Sequence, residues 1–499
     1  MNVHKFSAVI LLITTKLYFV FHNRTQNQNE WFAIKVSCCY YSTINKQNPF
    51  DYWAIFLCFL NKSPCTFRFG TEKRRFIEMI KLLIIADDFT GALDTGIQFR
   101  GDGTVLRFGK RDHFFEKLPE NTDVLVIDAE TRHLPAEDAG RVVGQIVKDA
   151  ASHGVSCIYK KTDSGLRGNI GSELAAVLAH SAHAVLHFVP AFPRLGRITR
   201  QGIHYVDGQE VAHSVFGRDP FEPVRFSDVR QIIAQQTAVP AVLAGPDSSP
   251  AEGIAVYDAQ SDEDIFRIAQ SLHKRDELHL LAGCAGFASV LPQLLGIRKR
   301  QQNSPSLPNK LLTVCGSVNA ITLKQMDTAQ RAGVPRVRLS VPQKLDVNWL
   351  GSPQGEKDLQ AMLDMAIKHP SSIIECDGLS HVEELDRYRN LLGMDQEAMR
   401  RRISHTMGAI LKSLLDKGLD ATMLVTGGDT LMAFMELAGL TEMIPICEYA
   451  PGVVLAQVHY NGRDRFLLSK SGGFGDAQLL LELEHRITAE SRKACPAVC

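Results

Sequence analysis

The chain has 499 residues, 45% hydrophobic and 22% charged, a globular composition long enough for two or three domains and incompatible with disorder, a collagen-like fibre or a bare coiled coil. Its 55 Lys/Arg balance its 55 Asp/Glu, so no general positive field exists to hold a polyanion, and nucleic acid is not an expected partner. The 11 cysteines show no CxxC pair or other metal-ligand spacing, which fits a reducing compartment and points to neither a disulfide framework nor a resident metal.

The charge balance hides an asymmetry at the start of the chain. Residues 1–78 carry ten Lys/Arg against four Asp/Glu and hold 16 of the 38 aromatics, but only one of the 37 glycines, Gly70. Such a stretch lacks the turn residues a domain needs. Lys5 before the apolar run 8–13 has the order of a secretory signal, yet Lys16 interrupts the run and no small-x-small site follows before Asn23. The later run 53–60 is too short to span a bilayer. We therefore read 1–78 as a disordered or non-native extension, Met79 as the natural start, and the protein as cytoplasmic with no membrane role.

From residue 81 a regular rhythm begins. The apolar run 81–86 ends in Asp87-Asp88, and helix-like spacing follows over 91–99, the pattern of a buried parallel strand feeding a helix. Similar strands are predicted at 122–128, 155–160, 184–189 and 278–281, with helices at 136–151 and 171–180 between them. The segment 298–309, RKRQQNSPSLPN, has linker composition. Beyond it the rhythm restarts with strands at 310–315, 372–376, 421–426 and 466–470 and a long amphipathic helix over 399–417. The expected fold is α/β, with two domains (79–300 and 310–490, joined by 301–309), each a mainly parallel sheet flanked by helices, and a tail at 491–499.

Open α/β sheets bind ligands at the carboxyl ends of their strands, so the loops there are the candidate site. Asp87 and Asp88 end the first strand, and alternation lets only one face the crevice while the other braces the turn. Either could also simply cap the next helix. The stretch Lys160-Lys-Thr-Asp-Ser-Gly-Leu-Arg-Gly-Asn169 concentrates three cations, an acid and a hydroxyl on one turn; Arg167 can grip a carboxylate bidentately and Lys161 can supply a point charge. Arg132, after Asp128-Ala-Glu-Thr, is a second candidate clamp. Three glycine-bearing loops follow strands in the second half: Cys315-Gly316-Ser317, Thr426-Gly-Gly-Asp-Thr430 and Lys470-Ser-Gly-Gly-Phe-Gly475. Glycine lets main-chain N–H groups approach phosphate oxygens, so together they suggest a nucleotide polyphosphate site, although neither the Walker pattern nor a GxGxxG after a strand is present.

Taken in order, Ala86-Asp-Asp-Phe-Thr-Gly-Ala-Leu-Asp-Thr-Gly96, Lys161-Thr-Asp-Ser-Gly-Leu-Arg-Gly-Asn169, Pro193 with Gly196-Arg197, Cys315-Gly-Ser317, Gly427-Gly-Asp-Thr430 and Lys470-Ser-Gly-Gly-Phe-Gly475 resemble the four-carbon acid sugar kinases over about residues 79–483. The resemblance implies a first domain that binds the sugar acid, a second that binds ATP, and transfer of the γ-phosphate to the terminal hydroxyl of a tetronate with Mg²⁺ bridging the phosphates. It places Asp87, Asp88, Arg132, Lys161, Asp163, Ser164 and Arg167 around the acid. Ser317, Gly427, Gly428, Asp429, Thr430, Gly472 and Gly473 fall to the nucleotide. Asp88 is the expected general base and Asp163 its rival. The continuation Asp94-Thr95-Gly96 looks more like the D-threonate branch than the 3-oxo-tetronate branch, with D-erythronate as a further alternative. Gly165 stands where many members carry a polar residue.

Two other functions compete with this one. An aspartate-nucleophile phosphatase needs two acids spaced by one residue, whereas Asp87 and Asp88 are adjacent and point to opposite faces. A nucleotide- or sugar-acid-sensing protein would keep the glycine loops without needing Asp88. The expected partners are a small sugar acid and ATP, with room for a homo-oligomer.

Overall fold

The computed structural model describes residues 80–99, 103–107, 114–116, 118, 122–219, 222–297, 305–317, 319–376, 382–470 and 475–490, and before them the backbone of 7–13, 16–25 and 28–36. The chain divides into two units, 1–76 and 77–499. In the first, β1 (Ser7–Ile13), β2 (Lys16–Thr25) and β3 (Gln28–Val36) form an antiparallel sheet in that order. The reading of 1–78 as an extension thus meets backbone strands at these positions.

The second unit is built on one long sheet. Its first half contains β4 (Leu82–Ala86), β5 (Thr104–Arg107), β6 (Val124–Asp128), β7 (Ile158–Lys161) and β8 (Val185–Val189). A small antiparallel sheet of β9 (Arg197–Arg200), β10 (Ile203–Val206) and β11 (Gln209–Glu210) stands apart, and β12 (Ala241–Ala244), β13 (Gly253–Tyr257) and β14 (Leu280–Gly283) complete the half. The second half contributes β15 (Leu311–Cys315), β16 (Arg336–Arg338), β17 (Ser371–Glu375), β18 (Thr422–Thr426), β19 (Glu442–Ala450), β20 (Val453–Tyr460) and β21 (Arg463–Lys470). The order is β12-β13-β8-β14-β7-β4-β6-β5-β19-β20-β21-β18-β15-β17-β16.

Two parallel sheets are therefore joined edge to edge. The joint is an antiparallel ribbon, β19-β20-β21, whose outer strand pairs with β5 through Glu442 with Arg107 and Met443 with Leu106. Sequence patterning identifies the short, buried strands and the end of β21 but not the rest of this ribbon, nor β5, β12, β13 and β16. Those four are only three to five residues long, whereas the ribbon strands have eight or nine residues and pair with their neighbours in the chain, so the turns at Gly452 and at Asn461-Gly462 are the sequence signal for it.

Both faces of the sheet are covered, as expected for continuous apolar strands. Leu82, Ile84 and Ala86 of β4 enter one core while Leu83 and Ile85 enter another. The first of these cores also takes Val314 of β15 and Val425 of β18, so it runs through both halves. Burying each aliphatic side chain is worth roughly 1.5–3 kcal/mol. The helices that position the site are α1 (Phe89–Gly96), α2 (Ala136–Ser152), α3 (Ile170–His180), α4 (Gln396–Asp416) and α5 (Gly428–Leu437).

Strand alternation also sorts the two lysines of β7. Lys160 turns away from the loop cluster and is fully buried, its Nζ 2.9 Å from Glu173 Oε2 of α3 and donating to the Lys161 carbonyl at 2.7 Å. Glu173 is completed by the Thr131 hydroxyl, which ties the β6 loop to α3. Removing one member would strand the other charge in an apolar interior. Glu173→Leu should therefore destabilise the fold by about 3 kcal/mol or more in urea titrations, whereas an unchanged midpoint would show that the pair is solvated.

Candidate active site

Three strand ends of the first half meet in one charged cluster. Asp87 and Asp88 follow β4, Arg132 lies in the loop after β6, and Lys161 ends β7; because β4 is flanked by β6 and β7, the loops are neighbours. Arg132 is the hub. Its Nε donates to Asp87 Oδ2, Nη1 to Asp88 Oδ2 and Nη2 to Asp88 Oδ1, each at 2.8 Å, and Nη2 stands 3.8 Å from Asp163 Oδ1. A planar fork of donors suits several carboxylates at once. Burial opposes the positive charge, but Asp87, Asp88 and Asp163 outweigh it and raise the Arg132 pKa further.

The adjacent aspartates divide their work as alternation predicts. Asp87 is buried and braces the turn, its carbonyl accepting from the N–H groups of Thr131 and Arg132. Burial pushes its carboxyl up, but Arg132, Lys160 and Lys161 prevail and hold it below the usual range. Asp88 is less enclosed; it caps α1 by accepting from Gly91 N–H at 3.1 Å and still engages the Arg132 fork. One carboxylate thus both caps α1 and pairs with Arg132.

Arg167 makes a second fork. Nε and Nη2 donate to Asp163 at 2.7 and 3.1 Å, Nη1 donates to Asp219 at 3.1 Å, and the guanidinium lies 4.9 Å from the Phe216 ring centre. Burial raises the Asp163 carboxyl, yet Arg167 and Arg132 drive it far below the ordinary range. Both arginines expected to grip a ligand thus have protein carboxylates in their forks. Lys161 is different: it is 5% exposed, and its Nζ makes no hydrogen bond or ion pair with any described residue. Beside the cluster lies a cavity of about 270 Å³ lined in part by Arg132, His133, Arg167, Glu222, Arg225 and Gln236.

Ser164 is held through its backbone. Its carbonyl accepts from His204 Nε2 at 3.0 Å, which fixes the tautomer and leaves Nδ1 to accept from the Thr199 hydroxyl at 3.0 Å. The Phe216 ring covers Gly165 so closely that a Cβ there would lie 2.6 Å from it, which accounts for glycine at that position.

In the second half, the loops after β15 and β18 interlock. Gly427 has φ +96°, a left-handed conformation that favours glycine, and a Cβ on Gly316 would lie 1.9 Å from Thr430 Oγ1. Ser317, Gly427, Gly428 and Thr430 are thereby brought together at the N-terminus of α5, where free N–H groups and the helix dipole favour an anion. Asp429 accepts from Arg400 Nη1 of α4 at 2.9 Å, and the same nitrogen lies 3.4 Å from His133 Nε2 of the first half. Gly472 and Gly473 lie outside the described residues. The strand leading to them ends in Lys470, a buried amine that donates to Thr322 Oγ1 at 3.1 Å; burial lowers its pKa to about 8 against the pull of Cys315. Sequence reasoning quoted Lys470 only as the start of a loop. Arg400 had no signal, being one basic residue in an amphipathic helix.

The two sets of loops adjoin. Thr90 Oγ1 lies 3.1 Å from where a Gly428 Cβ would stand, so the start of α1 faces the glycine loop. Among the described residues no group of three His, Cys, Asp or Glu is placed to hold a metal, and no helix is long and apolar enough to cross a membrane.

Comparison with known proteins matches the chain to two family models, a sugar-binding N-terminal domain over residues 82–291 and a nucleotide-binding C-terminal domain over 312–480. The chain is 28% identical to the D-threonate kinase of Salmonella typhimurium strain LT2 over 426 residues, covering 81% of this chain and 97% of that one. It is 26% identical to the D-erythronate kinase of Heliobacterium modesticaldum strain Ice1 over 412 residues, covering 74% and 90%. The chain belongs to the four-carbon acid sugar kinase family. As a member it is a phosphotransferase with an alcohol group as acceptor. Haemophilus influenzae protein HI1011 has the same fold, with a TM-score of 0.62 at 21% identity over 81% of this chain and all of that one.

The neutral His204 makes this kinase sensitive to acid in a calculable way. Burial lowers its pKa from 6.5 to about 4, so between those values the unfolded chain binds a proton that the folded chain refuses, and stability falls as pH falls. The full shift corresponds to roughly 3 kcal/mol. His204→Gln should therefore lose less stability than the parent between pH 6.5 and 4.5 in denaturant titrations; equal losses would show that His204 titrates as an exposed histidine does.

Proposed function

We propose that the protein transfers the γ-phosphate of MgATP to the terminal (4-) hydroxyl of a four-carbon sugar acid, with D-threonate as its substrate. The observation that supports this reading is the meeting of two unlike sites: a buried Lys161, without a partner among the described residues, amid arginine-ordered carboxylates, and a glycine cradle that begins where Thr90 ends. Residues 79–300 form the acid-binding domain and 310–490 the nucleotide-binding domain, with 301–309 between them.

Lys161, itself buried, receives the acid's carboxylate. Arg132 and Arg167 order Asp87, Asp88 and Asp163, whose remaining lone pairs accept the acid's hydroxyl groups, and Ser164 adds a hydroxyl to the same wall. Ser317, Gly427, Gly428, Asp429 and Thr430, with the loop of Gly472 and Gly473, receive the phosphates. Mg²⁺ enters with ATP and retains several of its waters, so few protein ligands are required. Phosphoryl transfer depends on positioning and charge neutralisation more than on covalent chemistry by the protein. That is what this site offers.

A coupled ADP-release assay of the full chain with MgATP and a panel of D-threonate, L-threonate, D-erythronate and 2-oxo- and 3-oxo-tetronate tests the reading. D-threonate should have the highest kcat/KM. Preference for D-erythronate or 3-oxo-tetronate would keep the kinase and reassign the acid, whereas binding of acid and nucleotide without turnover would favour the sensor.

A further inference from the structure

One carboxyl group in this region has no hydrogen-bond or ion-pair partner among the described residues. Asp94 lies in α1 three residues after Gly91 and four after Thr90, so helical geometry puts all three on one face. The flanks of that face are known: a Cβ on Gly91 would stand 2.5 Å from both Asp88 Oδ1 and Lys161 Nζ, while Thr90 faces Gly428 of the glycine loop. Asp94 therefore projects between the unpartnered ammonium of the acid site and the start of the nucleotide cradle. Its carboxylate, partly exposed, makes no hydrogen bond or ion pair with any described residue; only its backbone carbonyl is engaged, by Gln98.

We propose that Asp94 is the general base that takes the proton from the acid's terminal hydroxyl during phosphoryl transfer. In this step the hydroxyl O–H bond breaks and its hydrogen passes to an Asp94 carboxylate oxygen. The freed oxygen forms a bond to the γ-phosphorus, the bond from that phosphorus to the β–γ bridging oxygen breaks, and its electron pair leaves with the nucleoside diphosphate. The inference rests on the kinase reading and deepens it.

The other two carboxylates are poorly suited to the role. Both oxygens of Asp88 accept from Arg132 and both oxygens of Asp163 accept from Arg167, so each carboxylate already spends both oxygens on a guanidinium fork. The charged groups facing Asp94 come from three directions: Lys161 at the end of β7, Asp88 before α1 and Glu448 on β19. Burial, the largest influence, raises the Asp94 pKa to about 7; Lys161 opposes it, and Asp88 and Glu448 add to it. A base of that strength both captures a proton and is free to do so near neutral pH.

The test is the pH dependence of kcat for the full chain with MgATP and the sugar acid it turns over best. For the parent, kcat should rise with pH and level off above about 7. Asp94→Asn should lower kcat by about 100-fold or more, leave KM for the acid little changed and abolish that acid limb, while the acid still raises its melting temperature. Asp88→Asn, which unsettles Arg132, should raise KM and keep the limb. Retention of the limb in Asp94→Asn, or a kcat within about tenfold of the parent, would overturn the assignment, as would loss of the limb in Asp88→Asn or Asp163→Asn alone. No ADP release by the parent with any acid of the panel would instead remove the kinase reading, and this inference with it.

Discussion

Everything in the first half's site turns on one guanidinium. Arg132 holds Asp87, Asp88 and, at longer range, Asp163, so acids from the loops after β4 and β7 stand together without expelling one another. Without that fork, like charges at this spacing would repel or take up protons. The fork is itself ordered from behind. Asn169 donates to the carbonyls of Thr131 and Leu134 on either side of it, and Thr131 is tied to the buried Glu173–Lys160 pair. The electrostatics of the site and the packing of α3 on the sheet are one structure.

This arrangement separates charges that are spent from charges that are available. The arginines, which sequence alone marks as ligand clamps, are spent on protein carboxylates. Among the described residues Lys161 and Asp94 remain, one basic and one acidic, the first beside Gly91 and the second on the same face of α1 as Gly91 and Thr90. The proposed reaction, in which an anionic acid binds and its far hydroxyl is deprotonated, calls for this pair of properties in one site. Burial raises the Asp94 carboxyl above the ordinary range and makes it a stronger base than it would be in water.

The joining of the halves has its own logic. Nucleotide and acid loops belong to different parallel sheets, and what brings them within reach is the antiparallel ribbon β19-β20-β21, which closes the gap between β5 and β18. A shared apolar core beneath it fixes the relation of the two sheets. Across the cleft mouth, Arg400 reaches both Asp429 and His133. The cleft is framed by packing on one side and polar contact on the other.

Much of this was written in the sequence. Buried parallel strands announce themselves as short apolar runs ending in polar loops, so β4, β6, β7, β8, β15, β17, β18 and the end of β21 were legible, as were Asp87, Asp88, Arg132, Lys161 and the glycines at 316, 427 and 428, because residue type and strand-end position coincide there. Strand alternation likewise told that the adjacent aspartates would divide their tasks. What the sequence could not carry was pairing between residues far apart in the chain. That Arg132 and Arg167 would be consumed by Asp87, Asp88, Asp163 and Asp219, that Lys160 would turn to Glu173, and that Asp94 and Lys161 would have no partner among the described residues are outcomes of which side chains meet across loops. Charge and spacing determine which groups reach the carboxyl ends of the strands. Only the tertiary structure decides which of them neutralise one another, because a Coulomb interaction depends on separation in space and on burial, and neither is fixed by distance along the chain.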